Sequence, residues 1–203
     1  ASAFAGDYFW SGDWYLKVSA AGFAAPDYEG AKKYLFQVTP MISLGKAGST
    51  VRFSSRNDNP SFALIDNGGF RAGATGKLVM SRDDGDSDDL KGLTPVKFGG
   101  ELGAFAEAYP TDWLRVRGEV RHGIRSHDGI VADISADAFV DVRPDVRLSA
   151  GPRVTIASND YMDTYYGVKP SQVAESGLAA YDPDGGIHSV GAGAAITWQV
   201  NEK

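Results

Sequence analysis

Residues 114–156 read LRVRGEVRHGIRSHDGIVADISADAFVDVRPDVRLSAGPRVTI. Most second positions are apolar or small, and most of the positions between are charged or polar. Leu114, Val116, Gly118, Val120, His122 and Ile124 alternate with Arg115, Arg117, Glu119, Arg121, Gly123 and Arg125. Ile130, Ala132, Ile134, Ala136, Ala138, Val140 and Val142 alternate with Val131, Asp133, Ser135, Asp137, Phe139, Asp141 and Arg143. Val146 to Ile156 repeats the pattern with Arg147 and Arg153 on the polar side. A period of two is the signature of a β-strand with two unlike faces. Ser126-His127-Asp128-Gly129 and Arg143-Pro144-Asp145 are turn chemistry between the strands.

Weaker alternation recurs in Trp14–Ala24, Tyr34–Leu44, Phe70–Met80, Phe98–Ala108 and Val190–Val200, with a further turn at Tyr109-Pro110-Thr111-Asp112. The one helical window of note is Ser171–Leu178, two turns at most. The runs are long. Globular strands average ~5–6 residues, whereas a strand crossing a bilayer at a tilt needs ~9–11. A soluble, lipocalin-like barrel would also alternate, with its apolar face inward around a ligand. Two features favour the membrane. Trp14, Tyr15, Tyr34, Tyr109, Trp113 and Trp198 fall at strand ends, where interfacial aromatic girdles belong. The charged face of 114–156 carries arginine against aspartate and no lysine, which suits an enclosed polar interior better than a solvated sheet face.

The whole chain agrees. Its 203 residues include 25 glycines and no cysteine, with 20 basic against 26 acidic side chains, a net charge of −6. The acidic balance argues against nucleic-acid binding. The absence of cysteine removes disulfides, thiolate metal sites and a cysteine nucleophile. No apolar run reaches the ~18 residues of a membrane helix. Ala1-Ser2-Ala3 opens without a charged or apolar leader, the expected start of an exported, processed chain.

Candidate chemistry is sparse. Ser126-His127-Asp128 has triad residue types, but adjacent residues cannot place a histidine between nucleophile and acid. Asp84, Asp86 and Asp88 have the opening spacing of a calcium loop. Its sixth and twelfth positions are Asp89 and Pro95 instead of glycine and glutamate, so at most weak divalent binding is expected there. No cofactor, metal centre or catalytic residue is predicted.

Several segments, in order along the chain, resemble the MipA/OmpV family of Gram-negative outer-membrane proteins. They are Pro26-Asp27-Tyr28-Glu29-Gly30-Ala31; Arg56-Asn57-Asp58-Asn59 with Phe70-Arg71-Ala72-Gly73; Arg82, Leu90-Lys91-Gly92-Leu93 and Glu101-Leu102-Gly103; and Tyr165-Tyr166-Gly167-Val168, Ser176-Gly177-Leu178, Tyr181 and Gly185-Gly186. The resemblance implies an all-β, antiparallel transmembrane barrel of the outer membrane, a single domain over 1–203, in contact with lipid and lipopolysaccharide. It also implies a scaffold between a murein lytic transglycosylase and a penicillin-binding protein, or alternatively a small porin or adhesin. It offers no catalytic motif. Barrels of this kind end on a strand with a terminal aromatic. Gln199-Val200-Asn201-Glu202-Lys203 reads as a turn, so one further hairpin is expected beyond it.

Specific expectations follow for a monomeric barrel of 10 or 12 strands. Arg115, Arg117, Arg121, Arg125, Asp133, Asp137, Asp141, Arg147 and Arg153 form a charge network in the lumen. A three-residue loop at 126–128 sets Arg121 opposite Asp133 and Arg117 opposite Asp137. The apolar positions from Leu114 to Ile156 face lipid. The long connections 82–95 and 158–186 lie outside, and the tight turns in the periplasm. Residues 45–69 then contain either no crossing or two short ones (50–55 and 61–65). With no crossing, Arg52, Arg56, Asn57, Asp58 and Asn59 form a periplasmic docking surface.

Overall fold

The structure is a computed structural model, and it describes residues 14–26, 34–46, 53–55 and 57–198. Strands β1 (Trp14–Pro26) and β2 (Tyr34–Lys46) pair as an antiparallel hairpin. Seven more strands form one antiparallel meander: β3 (Ser61–Asp66), β4 (Phe70–Val79), β5 (Gly99–Thr111), β6 (Leu114–Ile124), β7 (Ile130–Arg143), β8 (Val146–Ala157) and β9 (Gly186–Trp198). Each pairs only with its neighbours in sequence. Among the described residues the ladder does not close, and no helix is long and apolar enough to cross a membrane.

The sheet is rolled. Lys77 of β4 and Ser189 of β9 line one cavity of about 400 Å³, although five strand spacings would set them ~24 Å apart in a flat sheet. It rolls around its charged face. Along β6, Arg115, Arg117, Glu119 and Arg121 are buried, while Val116 and Val120 are exposed. Val120, Ile130, Ile134, Val140, Val142 and Ile156 all face outward, between 39% and 55% exposed. That is the reverse of a soluble barrel, whose apolar face would be inside. The lipocalin-like alternative falls on this point.

Connections sort by end. Asn67–Gly69, Asp112–Trp113 and Pro144–Asp145 join β3–β4, β5–β6 and β7–β8 at the turn end. Residues 80–98, 125–129 and 158–185 join strands at the loop end. The longest carries helices α1 (Asn159–Tyr166) and α2 (Val173–Ser176), the latter inside the expected window. At the turn end Trp113 and Trp198 are exposed, as a girdle requires. Tyr109 is not part of it. Its ring points inward, is buried, and donates its hydroxyl to the Phe53 carbonyl (3.2 Å).

One more expectation needs correction. The β6–β7 register is offset by two residues: His122 pairs with Ile130, Glu119 opposes Asp133, and Arg115 opposes Asp137. The cause is His127, which turns inward and accepts a bond from the Gly129 amide on Nδ1, so the loop needs five residues. Arg125 lies in that loop, exposed, with φ of 71°. An offset of two keeps every side chain on its face. Within 45–69 the described residues hold one short strand, β3, at the place expected for the second crossing, and at 53–55 and 57–60 a stretch along the inner face; residues 47–52, with half of the other expected strand, and Arg56 lie outside the described residues.

Candidate functional site: the charged inner face

The arginines of β6 stand between the carboxylates of β5 and β7. Arg121 uses three guanidinium nitrogens on three partners: Nε to Glu101 (2.8 Å), Nη1 to Glu119 (2.7 Å) and Nη2 to Asp133 (2.6 Å). Arg117 donates to Glu119 (2.7 Å) and Glu107 (2.9 Å), with its guanidinium 4.2 Å from the Phe105 ring centroid. Glu107 also accepts from Arg71 of β4 (2.7 Å), whose Nε reaches Asp66 of β3 (3.1 Å). Asp137 joins Arg115 (2.9 Å) to Arg153 of β8. Thr155 donates to the remaining oxygen of Asp133 (2.6 Å). Buried ions demand such closure, because one unpaired charge costs several kcal/mol. Arginine suits the task since its planar fork serves several carboxylates at once.

Of the nine charges expected to form this network, Arg115, Arg117, Arg121, Asp133, Asp137 and Arg153 meet in it. Arg147 and Asp141 pair with each other near the turn end (2.6 and 2.8 Å), half in solvent. Arg125 stays in its loop. Sequence reasoning passed over Glu101 and Glu107, although both share the parity of Phe105 and Tyr109 in β5 and carry the sign the arginines need.

The stretch before β3 lies against this face. Phe53 stacks on Phe139 (4.8 Å between centroids). Asp58 receives a bidentate bond from Arg115, 2.7 Å to each oxygen, and Asn59 donates to Glu119 (2.9 Å). Thr75 of β4, 3% exposed, donates to the Pro60 carbonyl (3.2 Å). Among the five docking candidates, Asp58 and Asn59 therefore turn inward and Asn57 is exposed. Arg52 and Arg56 lie outside the described residues.

At the loop end α1 closes over β7. Tyr161 is buried against His127 (4.9 Å between centroids) and Tyr165 (4.5 Å). A side chain at Gly129 would collide with Tyr161, and one at Gly123 with the His127 ring. His127 Nε2 lies 3.2 Å from Glu101, so its acid partner is not Asp128. With the Gly129 amide on Nδ1, both ring nitrogens are engaged and neither can activate Ser126. The two long loops brace each other. Arg82 donates to the Tyr165 carbonyl (3.0 Å) and Gln172 to Thr94 (2.8 Å). In the acidic loop, Asp83 and Asp86 bond backbone amides of the same turn, and no group of three metal-ligating side chains occurs among the described residues.

The arrangement is an apolar exterior around an ionic interior, with a short chain segment seated in it. No curated protein and no solved structure matches the chain. The family model for "MltA-interacting protein MipA" matches residues 18–203, nearly its full length. That family is one of outer-membrane scaffold and interaction proteins, in keeping with the inverted sheet. The chain belongs to the MipA family.

Proposed function

We propose that this protein is a monomeric outer-membrane barrel that holds a periplasmic murein lytic transglycosylase, and with it a penicillin-binding protein, at the inner surface of the membrane. The observation that carries this reading is the family match over residues 18–203, whose description names a partner, MltA, rather than a reaction. The interior supports it. A stretch of chain seated against the arginine–carboxylate face through Asp58 and Asn59 narrows the interior, which favours a scaffold over an open porin. In this orientation the turn end faces the periplasm and the braced loops face outward, with lipid and lipopolysaccharide around the apolar belt. Docking then falls to the turn end, at the turns 112–113 and 144–145.

The test is affinity capture from periplasmic extract on the purified barrel in detergent. Enrichment of a lytic transglycosylase is the expected result, reduced by charge reversal at Asp145. A cysteine at Asp112, exposed in the 112–113 turn, should resist an impermeant reagent in intact cells. Ready labelling from outside would end the orientation and the docking surface together. Steady conductance of the unaltered protein in planar bilayers would favour the porin reading.

A further inference from the structure

The inward stretch, residues 53–55 and 57–60, is tied to β4 at its far end, where the Gly76 amide donates to the Pro60 carbonyl (3.0 Å), but the side chains that hold the rest of it all keep a second partner in the wall. Without Asp58, Arg115 keeps Asp137 at 2.9 Å and Glu107 at 3.6 Å. Without Asn59, Glu119 keeps Arg117 and Arg121, both at 2.7 Å. Without Ser55, Arg153 keeps Asp137. Without Phe53, Phe139 keeps the edge of Tyr109 (6.4 Å) and the Arg147 guanidinium (5.2 Å). So the stretch can leave without stranding a buried charge, the event that normally locks such a network. Its own polar groups, Asp58 and Asn59, would go to water. Behind it lies the cavity of about 400 Å³, lined by Lys77, Arg117, Arg121, Asp133 and Thr155 as well as by Asn57, Asp58 and Asn59.

We propose that this stretch is a displaceable plug, latched by the Asp58–Arg115 pair, and that its withdrawal opens the lumen to small hydrophilic ions. The proposal goes beyond the scaffold reading and does not depend on it. Asp58 bonds both terminal nitrogens of Arg115 and is only 18% exposed, so it is the strongest single hold.

The chain has no cysteine, so one introduced thiol reports without background. Thr75 sits directly beneath Pro60 and is the reporter position. In liposomes, Thr75→Cys should react slowly with a charged methanethiosulfonate. Adding Asp58→Ala should speed that reaction by about tenfold or more, the effect of losing charged hydrogen bonds from the latched state. The same Asp58→Ala change in the unaltered background should produce discrete openings in planar bilayers where the parent is silent. Asp84→Ala, in the exposed acidic loop at the opposite end of the strands, should leave both readouts at the parent level. Equal reactivity of the Thr75→Cys thiol with and without Asp58 would overturn the plug, whether both are fast or both slow. Faster reaction without conductance would overturn the pore. Should Asp58→Ala fail to assemble, Phe53→Ala removes the other anchor and is read against the same outcomes.

Discussion

The two faces of β6 are built from one strand and obey opposite rules. Inward, Arg115, Arg117, Glu119 and Arg121 are nearly inaccessible, each bonded to carboxylates or guanidinium groups. Outward, Val116 and Val120 lie open at 39% and 55%. In water this would be an inverted protein. In a bilayer the apolar face meets its proper solvent, and the backbone is satisfied by the ladder on both sides. The inner face is held by specific, directional bonds, so its tolerance depends on who is left unpaired. The outer face is held by a non-directional preference for hydrocarbon, so its tolerance depends on polarity and depth.

The sharpest way to break this contrast is to remove the arginine with most partners. Arg121→Ala leaves Glu101 and Asp133 without their guanidinium and should cost about 3–5 kcal/mol. Urea unfolding in lipid vesicles measures it, and a loss below ~1 kcal/mol would mean that water already reaches the network. Next is the outer face. Val120→Arg places a charge toward lipid and should cost ~2–4 kcal/mol in vesicles. Ser135→Arg, at the cavity wall, should assemble far better. Equal assembly of the two would deny the membrane assignment.

The alternation that separates these faces is legible in residues 114–156 because a one-residue error would expose every arginine. The register is less legible. It depends on His127 reaching Glu101, a residue 26 positions earlier in another strand. Glu101 and Glu107 could have been read from the parity of β5. Helix α1 had a signal too: Ser158 before Asn159, with Tyr161 and Tyr165 one turn apart. The inward stretch had none. Phe53 to Pro60 shows no period, and its partner Arg115 lies 57 residues from Asp58. Local pattern carries no information on such a contact.

Two milder changes sharpen the contrast at the ends. Gly129→Ala pushes on Tyr161 and should cost about 1–3 kcal/mol, as over-packing does. Faster proteolysis within 158–185 would report α1 lifting from β7, and unchanged cleavage would show that the cap adapts. Smallest of all is Asp141→Ala. Its pair with Arg147 is largely solvated, so vesicle stability should be unchanged within error. A clear loss would mean the turn end is drier than its exposure indicates.

The strictly sequential meander also sets an order of events during folding. From β3 to β9 every ladder joins chain neighbours, so the turns at 67–69, 112–113, 125–129 and 144–145 close short loops at small entropic cost, the longer connections 80–98 and 158–185 add to that cost only slowly, and each strand can add to the growing edge. The contacts of Asp58 and Asn59 with β6 span 57 and 60 residues and cannot form until that strand is in place. The inward stretch is therefore a late arrival in the folding reaction. Substitutions in it should speed unfolding while leaving the folding rate nearly untouched, the kinetic mark of an interaction absent from the transition state.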